Sequence, residues 1–501
     1  MRARFLLLAA ALLAFGASLG SGFHFDDYAI FSDPALTSPG GWLDLWTLRQ
    51  TRPLTYLTFW LNYQVGGRDP LGYHVLNLAL HLGVVILAYE CLRRLLPARA
   101  ALIAAAIFAV HPIQAEAVNY IWARSIVLAT LLALASLLAW IEGRSWVAVA
   151  WFAAALLAKE EVAAFPLVLL LLRWSEGDNA PSDSATVNES VGRRKRLPHP
   201  NTRLSRLPIA SMLLLSLAAG GRAIYATAVT PGAPAGLQAG ISPWHYLLAQ
   251  GPVILRYLRL LMLPWGFTID PDIRIPATWI GIAAWIAILG AIFLAVRRRS
   301  AWSIWLAAGF LLLIPSSSLF PAADLAADRR MYLPLLGFAA AAGLLLERLN
   351  VPAIALVPVA GFALVSFGQT AMWMDDASLW RNAAAHAPDK VRPKIQLARA
   401  LPAAAALEVL AEARNLAPHD PSVAAETGKT LLSEGQTEAA LQEFGRALAL
   451  DPRDARNLNN RGVALEALGQ TEAARADFVH ALQIDPGLIE ARQNLQKLPG
   501  R

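Results

Sequence analysis

Residues 73–141 read YHVLNLALHLGVVILAYECLRRLLPARAALIAAAIFAVHPIQAEAVNYIWARSIVLATLLALASLLAWI. Three apolar stretches follow one another here: 73–96, 100–117 and 121–141. Arg93, Arg94 and Arg99 divide the first two, and a polar break from His111 to Arg124 interrupts the rest. A helix needs about 20 mostly apolar residues to cross the hydrocarbon of a bilayer. The stretch therefore reads as consecutive membrane spans. The pattern continues outward on both sides, at 4–22, 145–158, 160–174, 207–228, 277–297, 301–320, 331–348 and 352–372, for about 11 spans in all. The segment 244–263 is interrupted by Pro252, Arg256 and Arg259 and reads as re-entrant or interfacial. The first segment has a basic start and small residues after it, which also describes a cleaved secretory signal; it is read here as a retained helix.

Composition agrees. Of 501 residues, 56% are apolar and 16% charged, against about 25% charged in ordinary soluble domains. A single soluble domain, a disordered chain and a collagenous chain are excluded. Cys91 is the only cysteine, so no internal disulfide and no multi-cysteine zinc site exists. The net charge of +7 is unevenly spread. Residues 1–372 hold 28 Lys and Arg against 19 Asp and Glu, while residues 373–501 hold 15 against 17. The basic excess belongs to membrane loops, where Lys and Arg favour the cytoplasmic side, and not to a nucleic-acid surface.

Arg2 and Arg4 place the N-terminus in the cytoplasm. Alternation then puts Arg93, Arg94, Arg99, Arg144, the segment 175–206 and Arg297–Arg299 on the same side. The segment 175–206 carries PSDSATVNES and RRKR and reads as a disordered cytoplasmic linker. The mixed polar clusters fall on the outer side: His24/Asp26/Asp27, Arg49/Arg52, His74, His111/Glu116/Arg124, Lys159/Glu160/Glu161, Asp270/Asp272 and Asp324/Asp328/Arg329. Ionisable groups at bilayer depth are costly and mark function. Taken singly, each cluster could be interfacial residues with their charges in water. Together they predict a shared outward cavity. The expected domains are a membrane domain at 1–372 with a first outer loop at 23–72, a connector at 373–387, and a soluble domain at 388–501.

That last domain is periodic. Pro418, Pro452 and Pro486 are 34 residues apart, as are Gly428/Gly462, Gly435/Gly469, Ala440/Ala474 and Phe444/Phe478. The period matches tetratricopeptide repeats, each a pair of antiparallel helices, and about three units fit. Such stacks bind peptides or partners, or act as spacers. Asn457, Asn459, Asn460 and Arg461 are candidates to contact a bound backbone, or are simply solvated.

Asp26 and Asp27 follow the first span within GFHFDDYAIF. A carboxylate flanked by aromatics at a membrane surface can serve as a general base on a hydroxyl. The plainer reading is the cap of a short helix beginning near Tyr28. Arginine clamps phosphate through paired hydrogen bonds, so Arg49, Arg52, Arg124, Arg256, Arg259 and Arg329 are candidates for a phosphate at headgroup level.

Several motifs in order carry a resemblance: the Asp pair, RPLTYLTFWLNYQVGGRDPLGYHVLNLALH (52–81), HPIQAEAVNYIWAR (111–124), AKE (158–160), DRRMYLPLLGF (328–338), and then the repeats. The chain resembles the transmembrane and tetratricopeptide repeat-containing O-mannosyltransferases, placed in the GT-C class of polytopic glycosyltransferases. The resemblance implies an all-α, GT-C-like helical membrane domain followed by an α-solenoid. It implies hexose transfer, with mannose as one candidate, from a polyprenyl-phosphate donor to a Ser/Thr hydroxyl of an exported protein on the outer side, and repeats that bind the acceptor or a partner. By residue, it implies Asp26 and Asp27 as the catalytic pair and Arg329, Arg124, Arg52 and Lys159 as donor-phosphate contacts. His74, His111, Glu116, Glu160, Asp328 and Tyr332 are implied as cavity-lining residues. Two positions depart from the family pattern: Arg330 where an aromatic or apolar residue is expected, and Ala123-Arg124 where Gly-Arg is usual. The sequence specifies no cofactor; a divalent metal on the carboxylate pair is an open option, and arginine could suffice without one. The competing expectation is a membrane-anchored repeat scaffold without catalysis. A transporter would need inward-facing charges within the bilayer, and few are visible. A bacterial inner-membrane location, with the repeats on the periplasmic side, follows from the charge pattern and the resemblance.

Overall fold

The computed structural model describes residues 1–177, 203–230, 233, 235–349 and 352–499. Most of the expected linker 175–206 lies outside the described residues; its described flanks close the helix Phe165–Gly177 and open the helix Arg203–Val229. Among the described residues the chain is helical throughout. It has no strand, and one isolated bridge joins Ala235 to Ala322. The contacts divide it into two units, Met1–Phe267 with Ile273–Asp375, and Thr268–Asp272 with Asp376–Arg501.

In the first unit each of the eleven apolar segments contains a helix, although the one in 301–320 ends at Leu313 and the one in 100–117 breaks at His111. Among the described residues five helices are long and apolar enough to cross a membrane: Arg2–Gly20, Pro70–Leu95, Ile121–Ile141, Arg206–Val229 and Thr278–Arg298. Counting each of two bent pairs as a span gives up to 7; one of these pairs bends by 47° between Ala98–Val110 and Pro112–Asn119. Helices such as Ser145–Ala158 and Ala301–Leu313 are apolar but shorter than a span. The segment 244–263 is one helix, Pro243–Met262, with Pro252 inside it, and is not among the five.

Small residues set the packing. A Cβ on Gly337 would sit 2.4 Å from the backbone nitrogen of Gly309, so the helices Pro334–Arg348 and Ala301–Leu313 touch backbone to backbone. A Cβ on Gly343 would sit 2.5 Å from the carbonyl oxygen of Ala100. Such close approach is how helices associate where apolar burial gives no driving force. The helix Pro334–Arg348 is thereby fixed, and with it the short turn Asp328–Met331 at its start.

The first helix and Pro70–Leu95 run antiparallel. At one end Arg4 donates to Glu90 at 2.8 and 2.6 Å, alongside Arg93 and Arg94. At the other end the His74 ring meets the Gly22 carbonyl at 3.0 Å. The Asp26–Asp27 loop therefore leaves from the end opposite the arginine cluster.

The second unit is a stack of helix pairs. Phe444 and Phe478 are fully buried, and a Cβ on Gly428 or Gly462 would lie 2.8 or 2.6 Å from their rings. Gly435 and Gly469 take φ of +73° and +75° in the tight turns, a region that side chains rarely adopt. Asp420 and Asp454 accept backbone N–H groups at the starts of Pro421–Ser433 and Ala455–Ala467. The proposed peptide contacts are partly spent inside: Asn457 donates to Asp454, Asn459 accepts from Asn494, and Arg461 makes two 2.7 Å bonds to Asp477. Asp270, expected among the outer membrane clusters, belongs to this unit and pairs with Lys390.

Candidate active site

The loop after the first helix turns sharply. Phe25 has φ of +43°, uncommon for a residue with a side chain, and begins the short helix Phe25–Tyr28. The turn sends the two neighbouring acids in opposite directions. Asp27 is fully buried, and its carboxylate accepts the backbone N–H of His24 at 2.9 Å and of Trp122 at 2.8 Å. It caps its own helix and ties the loop to the start of the span Ile121–Ile141. Burial pushes its carboxyl up to about 7, against the opposing pull of those two N–H groups and of His24.

Asp26, by contrast, is exposed. One of its oxygens accepts the Tyr120 hydroxyl at 3.0 Å. Tyr120 stacks on Trp373 with ring centres 5.8 Å apart, and Phe25 meets it edge-on at 5.8 Å. Burial and the two aspartates hold the phenol well above its usual range, so it stays a donor. The Arg329 charge also acts on that phenol, in the opposite direction. Neither Tyr120 nor Trp373 stands out in the sequence, since neither carries a charge or sits in a spacing that signals chemistry.

Arg329 opens the turn before Pro334–Arg348. Its backbone N–H donates to Glu116 at 2.9 Å, and its guanidinium pairs with the same carboxylate. Burial alone would lower the guanidinium pKa; the Glu116, Tyr120 and Asp324 fields outweigh it and hold the charge. About a quarter of the Arg329 side chain, 26%, remains exposed. Lys159 is buried and lies 3.1 Å from Glu161. Desolvation pushes its amine down to about 8, with Arg52 and Arg329 adding to the fall and Glu161 opposing it. Arg52 grips Glu160 through two bonds of 3.1 and 2.6 Å. Asp26, Tyr120, Arg329, Glu116, Lys159, Arg52 and Glu160 thus form one electrostatically linked group at one end of the membrane unit.

Other expected residues lie elsewhere. Arg124 is fully buried and spends its donors on Asn77 (2.6 Å), Asn62 (2.7 Å), Tyr73 (3.0 Å) and Thr58 (3.1 Å), over the Phe59 ring. Four of its five N–H donors are thereby committed inside the protein, so the buried guanidinium is held as a packing residue and is not presented to an open site. His111 is buried as a cap on Ile113 and meets the Leu261 carbonyl. His74 is buried against Gly22, and Tyr332 is buried with its hydroxyl 2.7 Å from His81. These three do not line an open cavity. Asp328 is buried and paired with Arg256 at 2.6 Å. Arg49 and Arg259 are exposed. Arg330, the departure from the expected pattern, is buried and donates to the carbonyls of Asp324 and Leu325 at 2.7 and 3.0 Å, holding the loop beside Arg329. Among the described residues no three His, Cys, Asp or Glu side chains gather as a metal site.

The fold is an all-helical membrane unit with helix-pair repeats, in which an exposed acid is held by a tyrosine that lies in the field of a partly buried arginine. Residues 428–469 match the family described as TPR repeat, and residues 455–488 the one described as tetratricopeptide repeat. The human protein O-mannosyl-transferase TMTC4 is 28% identical over 412 residues, covering 66% of this chain and 53% of that protein. The human protein O-mannosyl-transferase TMTC3 is 25% identical over 364 residues, covering 64% of this chain and 40% of that protein. The protein O-mannosyl-transferase Tmtc1 of Drosophila melanogaster is 52% identical over 68 residues, covering 13% of this chain and 8% of that protein. The chain thus spans about half the length, or less, of the curated relatives it matches. Among solved structures, ArnT from Cupriavidus metallidurans bound to undecaprenyl phosphate aligns over 95% of this chain and 79% of that one, at 14% identity and a TM-score of 0.39. The chain is a membrane protein with tetratricopeptide repeats, and its curated relatives are named protein O-mannosyl-transferases.

Proposed function

We propose that this chain is a membrane glycosyltransferase. It moves a hexose, with mannose the first to test, from a polyprenyl-phosphate sugar to a Ser or Thr hydroxyl of an exported protein. Asp26 is the general base. It takes the hydroxyl proton while the oxygen attacks the anomeric carbon; the bond from that carbon to the phosphate oxygen breaks, and polyprenyl phosphate leaves with inversion. Arg329 carries the growing charge on the phosphate, with Arg52 and Lys159 adding positive field. Asp27 fixes the loop and does not touch the substrate. The repeats bind the acceptor or a partner. The protein sits in a bacterial inner membrane with its N-terminus in the cytoplasm and both the site and the repeats outside, in accord with the basic residues at the Arg4–Glu90 end.

The observation that carries this reading is the exposed Asp26 carboxylate, held by Tyr120 whose hydroxyl lies in the field of Arg329. The names of the curated relatives support the sugar and the acceptor class. The test is to incubate purified full-length protein with labelled polyprenyl-phosphate hexoses and periplasmic extract. Label should enter protein, and Asp26→Asn should lower transfer by about 10²–10⁴-fold while the protein stays folded, the range for loss of a positioned base. Transfer unchanged in Asp26→Asn rules out the assigned base. No label entering protein from any hexose donor rules out the activity.

A further inference from the structure

The segment Gly40–Leu48 reads GGWLDLWTL. It folds as a short helix, Gly41–Leu45, and an irregular stretch. Leu45 points inward, where it is 1% exposed and packs beside Ile30, Leu36 and Phe59. The other large side chains point out: Trp42 is 40% exposed, Leu43 62%, Trp46 48% and Leu48 70%. Four large apolar residues turned outward within seven positions are costly if they face water.

What they border is set by Arg222. This residue lies on the helix Arg203–Val229, whose stretch Arg206–Val229 is one of the five long enough to cross a membrane. Arg222 is seven residues before the helix end, roughly 10 Å inside it at 1.5 Å per residue. Its guanidinium donates to the carbonyls of Thr47 (2.8 Å), Leu48 (3.4 Å) and Gln50. The segment therefore lies beside the apolar part of that helix and not beyond its tip. On the same helix Leu217 is 73% exposed and Ile224 60%, so the outward face of the segment continues a lipid-facing surface. Irregular backbone survives at membrane depth only when protein groups satisfy its carbonyls, and Arg222 serves three. Tryptophans with leucines and one acid, Asp44, are the composition of an interfacial anchor.

We infer that Gly40–Leu48 is a lipid-embedded anchor: Trp42, Leu43, Trp46 and Leu48 enter the boundary between headgroups and acyl chains of the leaflet that the first loop faces. The loop that bears Asp26 is thereby pinned at headgroup depth. This inference does not depend on the proposed sugar transfer.

Cys91, the only cysteine, is buried, so introduced surface cysteines label selectively. Full-length Leu43→Cys, Leu48→Cys and, as an aqueous control on the repeat unit, Glu434→Cys are spin-labelled and placed in phosphatidylcholine–phosphatidylglycerol vesicles. Collisions with oxygen and with a water-soluble nickel chelate are then measured. The expected result is that labels at 43 and 48 collide with oxygen and lose nearly all chelate collisions, while the label at 434 collides freely with the chelate. Labels at 43 and 48 that meet the chelate as freely as 434 overturn the inference. Labels that meet neither reagent overturn it too, because they mark burial against a protein partner or a second copy. In the Arg222→Gln background the label at 48 should regain chelate collisions; if it does not, Arg222 does not hold the segment at depth.

Discussion

The Tyr120 hydroxyl donates to Asp26 at 3.0 Å across 94 positions of sequence, joining the loop after the first helix to the break before the helix Ile121–Ile141. The exposed acid is thus oriented by a residue from a different helix, and its neighbour Asp27 is bonded to the same region through Trp122.

Tyr120→Phe removes that bond and little else, since the ring keeps its stacking on Trp373. A hydrogen bond to a charged group contributes about 1.5–3 kcal/mol. Sugar transfer should fall about tenfold or more in kcat, with KM for the donor lipid unchanged. Equal loss in Tyr120→Phe and Tyr120→Ala would assign the residue to hydrogen bonding alone; a much deeper loss in Tyr120→Ala would add the aromatic stack.

Asp27 should make stability fall as pH rises. Its carboxyl titrates at 3.8 in an open chain and at about 7 when folded. Between those values the folded state holds a proton that the unfolded state has released, so stability declines with pH from about 4 to 7. The full effect is on the order of a few kcal/mol. The melting transition of the membrane unit should be higher at pH 5 than at pH 8, and Asp27→Asn should flatten the slope. A wild-type slope of the opposite sign would contradict the burial argument.

Arg124 and Arg329 should part company under substitution. Arg124→Leu strips Asn77, the Tyr73 carbonyl and the partly buried Asn62 of their donor, at about 1–3 kcal/mol for each of the two buried groups left unpaired. It should lower the melting temperature and the yield of monodisperse protein. Arg329→Gln keeps the backbone bond to Glu116. It should cost less stability but more binding of polyprenyl-phosphate sugar, read by equilibrium binding of a labelled donor.

In the repeats, Gly462→Ala forces a Cβ to within 2.6 Å of the buried Phe478 ring. Overpacking of this kind costs about 1–3 kcal/mol. Limited proteolysis of the full chain should then cut faster between residues 455 and 484, and Gly462→Ala combined with Phe478→Leu should recover part of the protection.

The repeats were readable because their constraint is local and periodic: a glycine must recur where a phenylalanine ring closes over it. The membrane unit was readable from apolar run length. Span count was less so, because the helices Ala301–Leu313 and Ser145–Ala158 are apolar yet short. Within the site, the acidic pair was visible but the division of labour was not, since it depends on the backbone turn at Phe25. Arg124 carries the same charge as Arg329 in sequence; only the arrival of Asn62, Asn77 and Thr58 from two other helices separates a packed guanidinium from an available one. Asp270 has the same ambiguity: its partner Lys390 lies 120 positions away.

Each glycine-and-ring socket closes within one helix pair and packs on the next pair in the same way, so the solenoid is assembled like courses of brick. A duplicated 34-residue course could be laid after Pro452 or Pro486 with every joint preserved. The reach of the solenoid is therefore free to lengthen or shorten over evolutionary time while the bilayer-embedded part keeps its own architecture.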